Sequence, residues 1–449
     1  MKVTHHIAAI SMAALLGGCG LYGNYERRPL EFATERLCAA DSVGQPISAM
    51  PWRELFTDSC LASWIDCGLE RNTDLRVARQ KVEQAAATLT ASRLAFLPSV
   101  NLSAEGSVAS EGSDRFSVGP SASWELDIFG KQRNLKKSAE AAFYASDAYR
   151  QAVRSSLVAG IAGGYYTLLM LDEQLSISER TLKTWDENIR VLQALKRAGR
   201  TNEAAVLQAR ANRMSVENST LTLRSQISVQ ENAIRSLLLS PDAELRRGSF
   251  GRLSFPMRLS EGISLEVLSN RPDVREAEYR VRQAFYGINV ARSAFYPSVT
   301  LSGNLGWMTT SGAVANPSSW IANAVGAVVA PLFNRGTNTA NLRISKAEYE
   351  IAVLQFEQKL LDAGMEVNNA LIAWQTATDR IALDKKQVVA LRGAVHNTRL
   401  LMRNSNTNYL EVLTAQQRLL EAELTEASDR YDAVQAVIKL YRALGGGVD

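Results

Sequence analysis

Few residues in this chain could carry catalysis. The histidines are His5, His6 and His396. The first two fall in a stretch that reads as an export signal, so the mature chain keeps one. Ser-His-Asp and Cys-His catalysis are then left with His396 alone, which sits mid-helix and reads as a helix-surface or interface residue, and histidine-based zinc sites have almost no material. No Gly-x-x-x-x-Gly-Lys loop is present to cradle nucleotide phosphates. Cys60 and Cys67 stand seven positions apart in a segment that reads as helix. That spacing separates their Cα atoms by about 10 Å, too far for a bridge. Cys38 could pair with either one in an oxidising compartment, or all three could serve as small apolar side chains. No cysteine or methionine cluster suggests a soft-metal site. The expectation is no catalytic residue, no metal ligand and no cofactor.

Cys19 has a different chemistry. Lys2 precedes the apolar run Ile7–Leu16, which ends in Leu16-Gly17-Gly18-Cys19. A charged start, a short apolar core and small residues before the cut make a secretory signal over residues 1–18. Its ending resembles the bacterial lipobox, in which the cysteine becomes the acylated first residue. Acyl chains of the palmitate kind, at roughly 0.8 kcal/mol per buried CH₂, would hold that end in a membrane. Gly20 stands where an aspartate would retain a lipoprotein at the inner membrane, so export to the outer membrane is expected. The covalent lipid on Cys19 is the sole non-protein group expected.

The elements around these residues come in two copies. Asp74-Leu75-Arg76 and Ala95-Phe96-Leu97-Pro98-Ser99-Val100 recur as Asp273-Val274-Arg275 and Ala294-Phe295-Tyr296-Pro297-Ser298-Val299, at an offset of 199. Proline-free stretches, 121–240 and 332–449, follow each copy. The reading is a tether over 19–57, a first repeat over 58–240, a linker over 241–262 and a second repeat over 263–449.

Within each repeat the hydrophobic period changes. Asn72–Phe96 and Pro272–Phe295 read as helices that stop at a proline. Val100, Leu102 and Ala104 then alternate with Asn101, Ser103 and Glu105. Val118, Ala122, Trp124 and Leu126 alternate with Ser117, Ser121, Ser123 and Glu125. This period of two marks a hairpin over 99–128. Pro120 demands a bulge or a lost ladder bond. The second hairpin, 298–333, lies in a charge-free run of 42 residues between Arg292 and Arg335. That run is broken by three prolines and does not read as a membrane helix. From Lys131 and again after residue 335, apolar residues recur in steps of three and four, a coiled-coil seam. The first such helix, continuous to Arg197, would be about 100 Å long. Turns at Ala198–Asn202 and Asn404–Asn408 send the chain back.

Four strands cannot seal themselves in lipid, because open sheet edges leave backbone groups unpaired. Two chains would supply eight strands with a filled interior, and three would supply twelve around a wet passage. A net charge of +4, from 50 basic and 46 acidic residues, gives no reason to expect nucleic acid.

Arg271-Pro272-Asp273-Val274, Trp124-Glu125-Leu126-Asp127-Ile128-Phe129-Gly130 and Tyr409-Leu410-Glu411-Val412-Leu413 resemble the outer-membrane factor (TolC-like) family. The likeness is to its lipoprotein branch, which serves resistance–nodulation–division efflux pumps. The resemblance implies a mainly α fold with a small antiparallel β part: a homotrimeric channel-tunnel with a twelve-stranded barrel. The channel would sit in the outer membrane of a Gram-negative bacterium, reach into the periplasm, and dock on a periplasmic adaptor and an inner-membrane pump. It implies a periplasmic gate near the last hairpin turn. Glu411 matches one acidic position there, and Thr414 falls where many members carry a second acid. It also implies adaptor-contact turns at Gly199, Arg200, Ser405 and Asn406. A passive duct for small molecules is the expected function; a channel for type I protein secretion and a periplasmic coiled-coil scaffold are the alternatives.

Overall fold

The computed structural model describes residues 22–28, 51–107, 115–250, 268–309, 319–403 and 409–446. In chain order the elements are α1 (Trp52–Leu55), α2 (Ser59–Arg71), α3 (Thr73–Leu94), β1 (Ser99–Ser107), β2 (Arg115–Leu126), α4 (Lys131–Arg197) and α5 (Glu203–Leu237). They continue with α6 (Pro272–Ser293), β3 (Ser298–Thr309), β4 (Ser319–Val329), α7 (Thr337–Arg403) and α8 (Tyr409–Ala443). Helix, two strands, long helix and return helix thus occur twice, and α4 and α7 have 67 residues each. The two compact units cut across this duplication. One holds Met1–Ala33, Arg79–Tyr149 and Asp273–Lys359; the other holds Thr34–Ala78, Arg150–Pro272 and Leu360–Asp449.

The first unit carries the sheet, ordered β1-β2-β3-β4 and antiparallel throughout. Its register sorts side chains by chemistry. Val100↔Ala122, Trp124↔Leu301, Val118↔Trp307 and Val299↔Val328 stand opposite one another on one face. Asn101↔Ser121, Ser123↔Ser302, Ser121↔Asn304 and Asn304↔Asn323 occupy the other. β4 relaxes the rule, with Val325 opposite Ser302 and Val329 opposite Ser298 on the polar face. Pro120 costs a ladder bond and makes no bulge. The β2–β3 pairing skips Gly119 and Pro120, yet Val118↔Trp307 and Ser121↔Asn304 keep the same register on either side. Close approach makes up for the gap. A Cβ on Gly119 would lie 2.1 Å from the Leu305 carbonyl oxygen and 2.4 Å from Gly306 Cα, so only glycine fits there.

Residues 22–28, expected to belong to a tether, lie against helices of this unit. Arg28 forms a two-pronged pair with Glu350 at 2.8 and 2.9 Å. Arg27 pairs with Glu278 and lies 5.3 Å from the Phe356 ring centroid. Tyr25 meets Phe285 edge-on at 5.8 Å. Guanidinium forks and rings convert a polar strip into an anchored one.

The second unit is held by an aromatic core of Trp52, Phe56, Trp64, Tyr165, Tyr166 and Tyr441, joined by Leu61, Ile161 and Leu168. Asp58 caps α2 by accepting from Cys60 N at 2.8 Å. Its other oxygen accepts from Tyr165 Oη at 2.6 Å, and that hydroxyl accepts from Gly248 N at 2.9 Å. Burial, then the bond to Asp58, push the Tyr165 phenol up and keep it a donor. Cys60 and Cys67 are free thiols packed against this core. Cys38 lies outside the described residues. The seam expected for α4 is buried at Leu157, Ile161, Tyr165, Leu168, Leu171, Trp185 and Leu192.

The motif at Arg271 also resolves into a structural role. Its side chain is 5% exposed. It donates to the Ala443 carbonyl at 2.8 Å, and it pairs with Glu366 at 2.8 Å. Arg271 thereby satisfies an orphan carbonyl at the end of α8 and fastens α7 beside it.

Candidate functional site: the helix turns and the start of α8

The residues expected at the gate open α8. Glu411 lies in its first turn, where the helix dipole favours a carboxylate. Glu411 and Thr414, three positions apart, share an exposed face, while Val412 and Leu413 between them are buried. Leu413 settles the helix phase. It packs with Trp185 and Leu192 of α4 and with Ala205, Val206, Ala209 and Val216 of α5. Partly buried Leu182, Ile189, Tyr409 and Leu420 close the cluster. One turn further on, Gln416 is buried and is bonded to the Asn188 amide. With its oxygen turned toward α7 it accepts from Arg399 Nη2 at 2.7 Å. Val412, Leu413, Ala415 and Gln416 are buried, and Glu411 and Thr414 lie on the exposed side of α8.

The α4–α5 turn is built from local signals. Gly199 has φ +71, a left-handed conformation that only glycine adopts freely. Its N–H donates to the Lys196 carbonyl at 3.0 Å, and the Arg200 N–H donates to the Leu195 carbonyl at 2.9 Å, a Schellman ending. Asn202 then caps α5 by accepting from Ala205 N at 3.0 Å. Lys196 and Glu203 pair across the turn, and the bond from Lys196 holds the Glu203 carboxyl below its ordinary range. Gly199 and Arg200 are exposed at the tip. Cys19, Ser405 and Asn406 lie outside the described residues.

Among the described residues no group of three or more His, Cys, Asp or Glu side chains could hold a metal ion. No described helix is long and apolar enough to cross a membrane. The arrangement offers a sheet with one apolar and one polar face, and a helix start presenting a carboxylate and a hydroxyl. Two structural features carry little signal in the sequence. Trp185 packs with Leu413 at the start of α8, though its place in a heptad seam marks it only as apolar. Asp384 and Asp429 meet across α7 and α8, and their separation of 45 positions offers no local signal.

Known proteins share this arrangement. The outer membrane efflux protein family matches residues 64–238 and 264–446. The chain is 29% identical to the cation efflux system protein CusC of Escherichia coli O157:H7, over 97% of this chain and 97% of that protein. It is 27% identical to the solvent efflux pump outer membrane protein SrpC of Pseudomonas putida, over 96% of each. The crystal structure of the open state of the Neisseria gonorrhoeae MtrE outer membrane channel is similar with a TM-score of 0.87. That likeness is at 29% identity and covers 96% of this chain and 99% of that one. The matched spans take in both strand pairs, both long helices and the start of α8. This chain belongs to the outer membrane efflux protein family and is an outer-membrane channel component of an efflux system.

Proposed function

We propose that three copies of this chain join edge to edge into a twelve-stranded barrel, β4 of one copy pairing with β1 of the next. The observation that carries this reading is the sheet itself. Among the described residues β1 pairs only with β2 and β4 only with β3. Both outer edges therefore present unpaired backbone groups beside an apolar face on which Val100 and Leu102 are 68% and 79% exposed. In hydrocarbon each unpaired group costs several kcal/mol, so the edges must be closed. Eight strands close around side chains, and twelve leave room for water beside Ser121, Ser302 and Asn304. The helices favour the same symmetry. Leu207, Met214 and Leu221 of α5 are exposed at seven-residue intervals, a second seam with no partner among the described residues of this chain.

Lipidation of Cys19 fits the same frame. Tyr22 lies against Gly130, just past β2, and Phe129 stacks on Tyr296 at 5.3 Å beside it. Three residues of chain reach at most about 10 Å, so an acylated Cys19 would stay within that distance of the Tyr22 position. Aromatic rings near the end of a strand suit a membrane boundary.

Glu411 and Thr414, repeated threefold, would line the narrow inner end. Glu411 favours cations there, and Thr414 supplies hydroxyls in place of a second acidic ring. The turn at Gly199 and Arg200, with its counterpart at Ser405 and Asn406, would receive the periplasmic adaptor, and the inner-membrane pump would supply energy. The cargo class is small molecules. Relatives of nearly equal identity carry names with different cargoes, cations for CusC and solvents for SrpC. Cargo choice therefore belongs to the pump that feeds the duct.

Reconstitution in planar bilayers tests the proposal. Purified protein of trimeric mass should give single-channel conductance. Trimer without conductance would leave only the scaffold reading; stable monomer with a closed sheet would end the barrel. Export of an unfolded protein substrate with an ATP-driven partner, and of no small molecule, would favour the secretion channel.

A further inference from the structure

In the second unit, α7 and α8 bring two acidic side chains together. Asp384 is 8% exposed and Asp429 is 1% exposed. Arg380, one turn before Asp384 on α7, reaches Asp429 on α8, and Asp384 lies close enough to Asp429 to act on its carboxyl. Yet Asp384 Oδ2 and Asp429 Oδ2 have no hydrogen-bond donor, and Asp429 Oδ1 has only the charge contact of Arg380. Acceptors face acceptors, which is costly under cover unless one of them carries a hydrogen. Arg380 of α7 lies 2.5 Å from Asp429 Oδ1, a contact that supplies charge, and its own side chain is half exposed. One guanidinium cannot neutralise two carboxylates.

Asp432, on the exposed side of α8, adds negative charge. On α4, Gln174 Nε2 donates to Ser428 Oγ, the neighbour of Asp429 in sequence, at 3.0 Å. α5 meets α8 at the Leu413 cluster, about four turns away, and nearer the site through Ile234 and Leu238, which pack in the apolar core with Val434 and Val437. Glu231, the acidic group on that stretch of α5, is paired with Arg235 and Arg247. A metal ion is a poor occupant, since two carboxylates are too few ligands and a guanidinium already stands on one of them.

We propose that Asp384 and Asp429 form a proton-binding site, one shared proton converting a repulsive contact between α7 and α8 into a hydrogen bond. The site lies within one chain, so it stands independently of how many copies assemble or what they pass. Protonation adds H⁺ to one carboxylate from solvent; the resulting hydroxyl donates to the other carboxylate, and Arg380 balances the remaining negative charge. Asp429 is pushed up to about 6, first by burial and then by the bond to Asp384, against the opposing pull of Arg380. The folded pair therefore holds the proton more tightly than the unfolded chain does. This stabilisation is complete below the ordinary aspartate range and is lost as pH rises through about 6. At acidic pH the two helices are pinned; at neutral pH they repel at that point.

Hydrogen exchange on the intact protein in detergent reads this locally. Amides around residues 384 and 429 should open about tenfold more often at pH 7.5 than at pH 5, after correction for intrinsic rates. In Asp384→Asn the amide donates to the Asp429 carboxylate at both pH values, and the tenfold difference should vanish. Equal protection of the wild type at the two pH values would overturn the proposal, and so would an undiminished difference in Asp384→Asn. If that variant does not fold, infrared spectroscopy on wild-type protein labelled at aspartate decides. A protonated-carboxyl band present at pH 5 and gone by pH 7.5 supports the shared proton, and its absence at pH 5 refutes it.

Discussion

Replacing Trp185 by alanine should loosen the start of α8 and with it the proposed gate. Trp185 is 1% exposed and sits in the cluster that receives Leu413. A buried tryptophan hides about 200 Å², which at about 25 cal/mol/Å² is about 5 kcal/mol. Compactness of the unfolded chain lowers that to about 3–4 kcal/mol, in line with large-to-small core substitutions. The loss falls where α4, α5 and α8 meet, while the aromatic core around Tyr165 and Tyr441 is a separate cluster. If about 2 kcal/mol of the loss is felt at α8, its first turns open about 30-fold more often. Hydrogen exchange over residues 409–416 measures this directly, and resting conductance in bilayers should rise in parallel. Faster unfolding of the whole chain with unchanged exchange at 409–416 would refute the idea that Trp185 holds the gate helix.

Other substitutions probe other parts of the frame. Glu411→Gln should lower cation preference at a stability cost of at most about 1 kcal/mol; unaltered reversal potentials in a salt gradient would remove Glu411 from the constriction. Gly119→Val places a Cβ 2.1 Å from the Leu305 carbonyl and should abolish β2–β3 pairing, read as loss of trimer on native gels, with wild-type yields of trimer refuting the close approach. Arg271→Met strands the Ala443 carbonyl and Glu366, and should cost about 3 kcal/mol in denaturant unfolding; a change within about 0.5 kcal/mol would mean that water takes over both contacts.

Much of the architecture was legible in the order of residues because it rests on local rules. The period-two alternation from Val100 to Leu126 sets the hairpin and its two faces. The proline after each entry helix ends it, and the heptad steps of α4 and α7 set two helices of 67 residues. Gly199 and Asn202 announce their turn through conformational preference and capping. Glu411 could be placed near a turn but not on a helix face, since Leu413 fixes the phase only through its contact with Trp185 and Val206, over 200 positions earlier in the chain. Pro120 signalled trouble in the ladder, but the choice between a bulge and a missing bond came from the facing glycines, Gly119 and Gly306, which belong to different repeats.

The sequence by itself determined which segments are helix and strand, which faces are apolar, and that the strands of one chain are too few to seal a barrel. Those properties follow from side-chain periodicity and backbone geometry, which act over a few residues. Tertiary structure alone decided that the compact units are assembled from both repeats, that residues 22–28 are fastened to the first unit through Glu278 and Glu350, and that Asp384 meets Asp429. Such meetings depend on the azimuth of one long helix against another, and a rotation of a few tens of degrees, which no local pattern sets, would part the two carboxyls.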